Sequence, residues 1–328
     1  MPCKFHIARG CAHAFVAALL LGTATNAAAQ SFPSRTITAI VPFGPGTSIE
    51  TTGRLVLEQM SKSLGQAIVV ENRPGAGGTI AATAVARAQP DGHTLLLFST
   101  SFSIAHATFP NRPYDTLKDF AAVTTYGIAP NVLVVPPDRG WKSLADLVAA
   151  AKARPGALNY ASIGAGSAPH LASERFGLSA GIKSQNIAFK SPPEAMTETL
   201  TGRIDFYWGP LATVLPMVRD GKLLPLAVSN KSRAAALPNV PTTAEAGLKD
   251  SEFEIWHGIF APAATPRAIV DRLHAEAQKA LDTPSVKERF AALGVEQLRM
   301  GPDAFSDYFR KDVAAMVDLA HKAGIKGN

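Results

Sequence analysis

Short β-branched, apolar runs alternate with helix-forming stretches as far as Ser229 in this chain, and beyond Pro266 only helix-forming stretches follow. The strand-like runs are Thr36–Val41, Ala67–Glu71, Thr94–Phe98, Asn131–Val135, Leu158–Ala161, Ser184–Ala188, Ile204–Trp208 and Leu224–Ser229. Between them, Glu50–Leu64, Thr79–Ala88, Leu144–Lys152, Pro169–Leu178, Pro193–Thr201 and Leu211–Arg219 have helical patterning. Strands alternating with helices of this length predict parallel-sheet α/β units. The tail segments Arg267–Leu281, Ser285–Leu293 and Pro302–Lys322 are helical, with Pro266, Pro284 and Pro302 standing where helices start. So long a helical tail needs a body to pack on. The first lobe is the expected one, which makes that lobe discontinuous in sequence.

Lys4, His6 and Arg9 precede an apolar run, Ala14–Gly22, and Ala27, Ala28 and Ala29 follow it. This is the layout of a signal peptide, residues 1–29, cleaved near Ala29. The apolar run falls well short of the roughly 20 residues that a membrane span needs. Cys3 and Cys11 are the two cysteines and both leave with that segment, so the exported chain has no thiol for a disulfide, a metal site or a nucleophile. The expected destination is the periplasm. About 299 residues remain, enough for two lobes. Loss of Lys4 and Arg9 lowers the formal charge from +6 to +4. The remaining basic residues are scattered, which argues against a nucleic-acid partner.

The stretch Thr36–Glu50 reads as a strand, a Gly/Pro-broken loop and a helix start. A helix N-terminus at the end of such a strand offers free N–H groups and a favourable dipole to an anion. Its loop, Pro42, Phe43, Gly44, Pro45, Gly46, Thr47 and Ser48, lets a ligand approach the backbone, and Ser48 is a candidate helix cap. Ser99, Thr100 and Ser101 follow another strand-like run. The stretch from Ser162 through Gly164, Gly166, Ser167 and Ala168 to His170 repeats the arrangement further along. Two such loops facing each other would hold a carboxylate through neutral donors, avoiding the desolvation of a buried ion pair. The glycine-rich loop Asn72–Thr79 matches neither a dinucleotide fingerprint nor a P-loop, so no cofactor is expected. The histidines are dispersed without a His-x-x-x-His pair, and no metal is expected. Ser167 and His170 are close, but no Gly-x-Ser-x-Gly elbow exists, and Asp205 lacks an evident acid or base partner. A binding protein rather than an enzyme is expected. A secreted hydrolase using Ser167 and His170 is the enzymatic alternative, and a sensor subunit serving a signalling partner is the other.

The stretches IVPFGPG at 40–46, VVENRPGAGGTIAA at 69–82, PDGHTLLL at 90–97, LNYASIGAGSAPHLASE at 158–174, GKLLPLAVS at 221–229, LPNVPTTAEAG at 237–247 and FAPAATP at 260–266 resemble the Bug-type periplasmic solute receptors of tripartite tricarboxylate transporters. The similarity spans nearly all of the exported chain. It implies an α/β, two-lobed periplasmic binding protein fold (type II-like) with the ligand in the interlobe cleft. The lobes are expected at 30–130 with 254–328, and at 131–253, joined by crossover strands near Ile128–Val132 and Glu252–His257. It implies a monomer that takes a small organic carboxylate, di-/tricarboxylate or aromatic, and delivers it to membrane permease subunits. The ligand would meet Phe43, Gly44, Pro45, Gly46, Thr47, Ser48, Ser99, Thr100, Ser101, Ser162, Gly164, Gly166, Ser167, Ala168 and His170, with Phe189 and Asp205 nearby.

The chain departs from the family's pattern at Thr47, where a glycine is usual, and at Glu50, where an aspartate is. Phe189-Lys190-Ser191 replaces Tyr-Lys-Gly, and Gly209-Pro210 replaces Asp-Asn. Thr47 is expected to narrow the approach and add a donor. With Phe102, Phe206, Tyr207, Trp208 and Trp256 placed close by, these changes point to a more apolar or aromatic carboxylate.

Overall fold

Strand β1 (Ile37–Val41) is almost wholly buried, as a central strand covered on both faces must be. It lies parallel to β2 (Ile68–Asn72) and β3 (Thr94–Ser99). Helix α1 (Ser48–Leu64) follows β1 and buries Ile49, Thr52, Val56, Leu57 and Met60, one face of a 3.6-residue period. It ends at Gly65, which is left-handed and donates its N–H to Ser61 O. The computed structural model describes residues 32–164 and 166–325, and the signal peptide reading lies outside these. The fold described here is the unit that begins at Arg35.

Two five-stranded sheets make up this unit. The first has the order β2-β1-β3-β10-β4, with β4 at Phe120–Ala129 and β10 at Ile255–Pro262. The second has the order β7-β6-β8-β5-β9 and is built from β5 (Asn131–Val135), β6 (Asn159–Ser162), β7 (Gln185–Ala188), β8 (Phe206–Pro210) and β9 (Leu224–Val228). In each, three parallel strands are followed by an antiparallel one. β10 runs against β3 and β4, and β5 runs against β8 and β9. The parallel units expected from the alternation are β2-β1-β3 and β7-β6-β8, and the antiparallel β10 and β5 make both sheets mixed. Each antiparallel strand enters from the other sheet's part of the chain. Pro130 alone separates β4 from β5, so the first crossing is short and stiff.

The other helices are α2 (Thr79–Ala86), α3 (Ser101–Thr108), α4 (Leu144–Ala153), α5 (Ala168–Ala180), α6 (Pro192–Leu200), α7 (Leu211–Arg219), α8 (Arg267–Asp282), α9 (Pro284–Ala292) and α10 (Pro302–Lys322). Helix α3 occupies residues to which the sequence patterning assigns no element. Helix α10 brings Phe305, Phe309 and Val313 into the core of the first sheet beside Phe98, Phe102, Phe120, Trp256 and Phe260. Phe102 stacks on Phe98 at 4.5 Å and meets Phe260 edge-on at 5.3 Å. Each buried ring contributes about 2–3 kcal/mol. Within this core Asp312 accepts hydrogen bonds from Trp256 Nε1 (2.8 Å) and Ser103 Oγ (2.5 Å), and burial lifts its carboxyl to about 6. The second sheet's core is mainly aliphatic, with Val132, Val134, Ile204, Leu211, Val214 and Leu215 around Tyr207.

Candidate functional site

The loops after β1 and β6 share one local sequence and one hydrogen-bonding plan. The first is Gly44-Pro45-Gly46-Thr47 and the second Gly164-Ala165-Gly166-Ser167, each running into a helix. Gly46 and Gly166 are left-handed, with φ of 85° and 73°, a conformation that disfavours any side chain. Thr47 Oγ1 donates back to Gly44 O at 3.3 Å, and Ser167 Oγ donates back to Gly164 O at 2.8 Å. The Gly46 N–H donates to Glu50 Oε2 (3.1 Å), while the Gly166 N–H donates to His170 Nδ1 (3.2 Å), in both cases four residues ahead. Each loop is thus tied down by its own residues at both ends.

That arrangement leaves the helix starts uncapped. Ser143 and Ser191, at the starts of α4 and α6, accept the N–H of Asp146 and Glu194 and so cap their helices. Thr47 and Ser167 make no such bond, because their hydroxyls are turned back into the loops. The first intrahelical bonds are Thr51 N–H to Thr47 O and Leu171 N–H to Ser167 O. The N–H groups of Ser48, Ile49 and Glu50, and of Ala168 and His170, therefore remain for a ligand, while Pro169 has none and the Ser167 N–H is bonded to Gly164 O. Ser48 is the first helical residue rather than the cap. Its Oγ is buried without a partner.

Both helix starts open on one cleft of about 470 Å³, a figure that includes space open to solvent. Phe43, Thr47, Ser48, Ser99 and Ser101 line it from the first sheet, and Ala168 from the second. An adjoining groove is lined by Gly44, Pro45, Gly164, Gly166, Ser167 and Lys190. The cleft's remaining walls, Ile49, Ile163, Pro169, Pro192, Pro210 and Ile255, are apolar, and none of its lining residues is Asp, Glu, Lys or Arg. Tyr207, Thr213 and His257 complete it. An anion here meets backbone and hydroxyl donors, with no fixed cation against it.

Several expected site residues lie elsewhere. Asp205 pairs with Arg139 (3.0 Å) and accepts the Asn159 N–H (2.7 Å) at the opposite end of β6, so it holds the second sheet together. Phe189 packs against that sheet's aliphatic core. Thr100 donates to Glu254 O and accepts the Trp256 N–H, bracing β10 against α3. Ser162 is fully buried and accepts the Gly164 N–H at 3.3 Å. Gly46 and His170 act through the loop bonds given above, outside the lining of the cleft. His170 is kept neutral by burial, which lowers it to about 4. With its Nδ1 on Gly166 and the Ser167 hydroxyl on Gly164, the two are not coupled as nucleophile and base. The Thr47 hydroxyl is likewise spent inside its loop, so the added donor expected from it faces Gly44 instead of a ligand. Of the five aromatics expected near the ligand, Tyr207 lines the cleft. Phe102 and Trp256 belong to the first core, and Phe206 and Trp208 pack with Phe176.

Sequence reading missed Glu50 as a loop anchor and His257 as a cleft residue. The four-residue offset between each second glycine and its acceptor was there to be read, although Glu and His share no chemistry that would flag it.

Two α/β layers that exchange strands and present opposed helix starts to one cleft define a solute-binding receptor of the periplasmic binding protein type. The chain belongs to the tripartite tricarboxylate transporter family receptors, whose model matches residues 52–325. Protein BugT of Bordetella pertussis is 34% identical over 93% of this chain and 94% of its own. Among solved structures, R. palustris Rpa4515 with adipate superposes with a TM-score of 0.85 at 29% identity, over 90% of this chain and 100% of its own. MatC from Rhodopseudomonas palustris with bound malate gives 0.82 at 32% identity, over 88% and 99%.

Proposed function

We propose that this receptor works in the periplasm, closes on a small organic carboxylate and delivers it to the membrane permease of a tripartite tricarboxylate-type transporter. The two lobes that close are residues 30–130 with 254–328, and residues 131–253. The carrying observation is the pair of uncapped helix starts, α1 and α5, on a cleft whose lining has no charged side chain. A carboxylate placed between them is stabilised by neutral donors from both sheets, and so favours the closed form over the open one. Neutral donors also permit release, since no buried ion pair has to be separated. The adipate and malate held by the two related structures agree in class with such a ligand.

The test is a thermal-shift panel of mono-, di- and aromatic carboxylates on the chain from Gln30, with mass spectrometry of each mixture. A ligand that binds only the folded state raises the melting temperature by mass action. The expected result is a shift with one chemical class, no new product, and a smaller shift in Ser48→Ala. No shift with any carboxylate overturns the ligand class, and product formation overturns the receptor reading.

A further inference from the structure

Two further groups in the cleft are buried and unpartnered, one from each sheet. His257 on β10 is fully buried, and its Nδ1 lies 3.0 Å from Thr52 Oγ1, while its Nε2 has no partner. Tyr207 on β8 is equally buried, and its hydroxyl has no partner either. Both residues line the cleft. A buried polar group without a hydrogen bond is unfavourable, and a site built around such groups discriminates against ligands that leave them empty.

We propose that His257 and Tyr207 form a specificity pair for a second polar group on the ligand, so that the receptor selects bifunctional carboxylic acids over simple monocarboxylates. The inference rests on the carboxylate reading given above. One acid group sits at the helix starts, and a hydroxyl, carbonyl or second carboxylate reaches the pair across the apolar walls. Thr52 equips the imidazole for either kind of group. Its hydroxyl also lies 2.8 Å from Ser48 O, and it has one proton to give. With that proton on Ser48 O, His257 donates through Nδ1 and offers Nε2 as an acceptor to a ligand hydroxyl. With the Thr52 hydroxyl donating to Nδ1 instead, Nδ1 is the acceptor and Nε2 carries the ring's one hydrogen, which it can donate to a carboxylate. Burial holds the ring neutral in both arrangements.

Gly209 makes the tyrosine's position possible. Residues 207 and 209 share a face of β8, and a Cβ at 209 would stand 2.6 Å from the Tyr207 ring and 2.5 Å from Val214. The ring occupies the space that a side chain would need.

Calorimetry with matched acids tests the pair: hexanoate, 6-hydroxyhexanoate and adipate; butyrate, succinate and malate; benzoate and 4-hydroxybenzoate. The expected result is that, in at least one series, the bifunctional acid binds about tenfold to a hundredfold more tightly than its monofunctional match. Tyr207→Phe, which removes one oxygen, and His257→Gln should each bring that ratio toward one. Gly209→Ala should do so by displacing the ring. Equal binding of matched acids overturns the proposal while leaving the carboxylate reading intact, as does a ratio unchanged in the well-folded Tyr207→Phe. Failure of every acid to bind overturns the carboxylate reading itself.

Discussion

The two Gly-x-Gly loops do the same work with different anchors. In the first sheet Glu50 takes the N–H of Gly46 while its other oxygen meets Arg54; in the second, a neutral His170 takes the N–H of Gly166. The surroundings differ as well. A Cβ at Gly46 would enter open space, whereas one at Gly166 would stand 2.9 Å from Thr108 Oγ1. The plan of such a loop therefore lies in backbone geometry and a four-residue offset, and the chemistry of the anchor is free to vary.

Acid should break the equivalence most severely. Burial lowers His170 to about 4 and His257 to about 3, against an ordinary value near 6.5 in the unfolded chain. The unfolded state then binds more protons, so the stability these rings contribute is complete above pH 6.5. Below that it falls by about 1.4 kcal/mol per ring for each pH unit, down to the folded values. Asp312 acts in the opposite sense. Its raised carboxyl, about 6, adds stability as the pH drops through 6 toward the unfolded value. Denaturant melts between pH 7 and 4.5 should show a net loss of stability. The loss should be steeper in Asp312→Asn and shallower in His170→Gln, and parallel curves for all three proteins would refute the assignment.

Substitution at the second glycines should separate the loops next. Gly166→Ala combines left-handed backbone with overpacking and is expected to cost about 3 kcal/mol. Gly46→Ala meets only the backbone term, about 1 kcal/mol. Equal losses in urea melts would mean that Thr108 yields to the added methyl. The anchors should differ in the same direction, with the smallest effect of all at Glu50. His170→Ala strands the Gly166 N–H and should cost about 2 kcal/mol, whereas Glu50→Gln keeps an acceptor for Gly46 and should cost less than about 1 kcal/mol. The reverse order would mean that the Arg54 pair, and not the loop bond, is what Glu50 is for.

The alternating elements were largely legible in the sequence because β-branched runs and amphipathic spacing are local signals. Strand direction is not local. That β5 and β10 run antiparallel follows from where the chain returns, and no periodicity records it. β4 and β10 escaped the pattern reading because a glycine interrupts each, Gly127 in one and Gly258 in the other. Both loops of the candidate site were legible from their glycines and hydroxyls. The destination of each hydroxyl was not: Thr47 and Ser167 turn inward to carbonyls three residues back. Asp205 came near the ligand only through the resemblance, and the partner that makes it structural, Arg139, lies on another segment that no local pattern links to it.

The borrowed strands also set an order of assembly as the chain emerges N-terminus first. All five strands of the second sheet come from Asn131 to Val228, so that sheet is complete as soon as this stretch has emerged. The first sheet begins earlier but lacks β10, which belongs between β3 and β4, until Pro262 has been made, and its aromatic core waits further for α10. The half encoded first therefore finishes last. In the interval it carries the open edges of β3 and β4 and a bare aromatic face, and that is the period when this chain most needs protection from its neighbours.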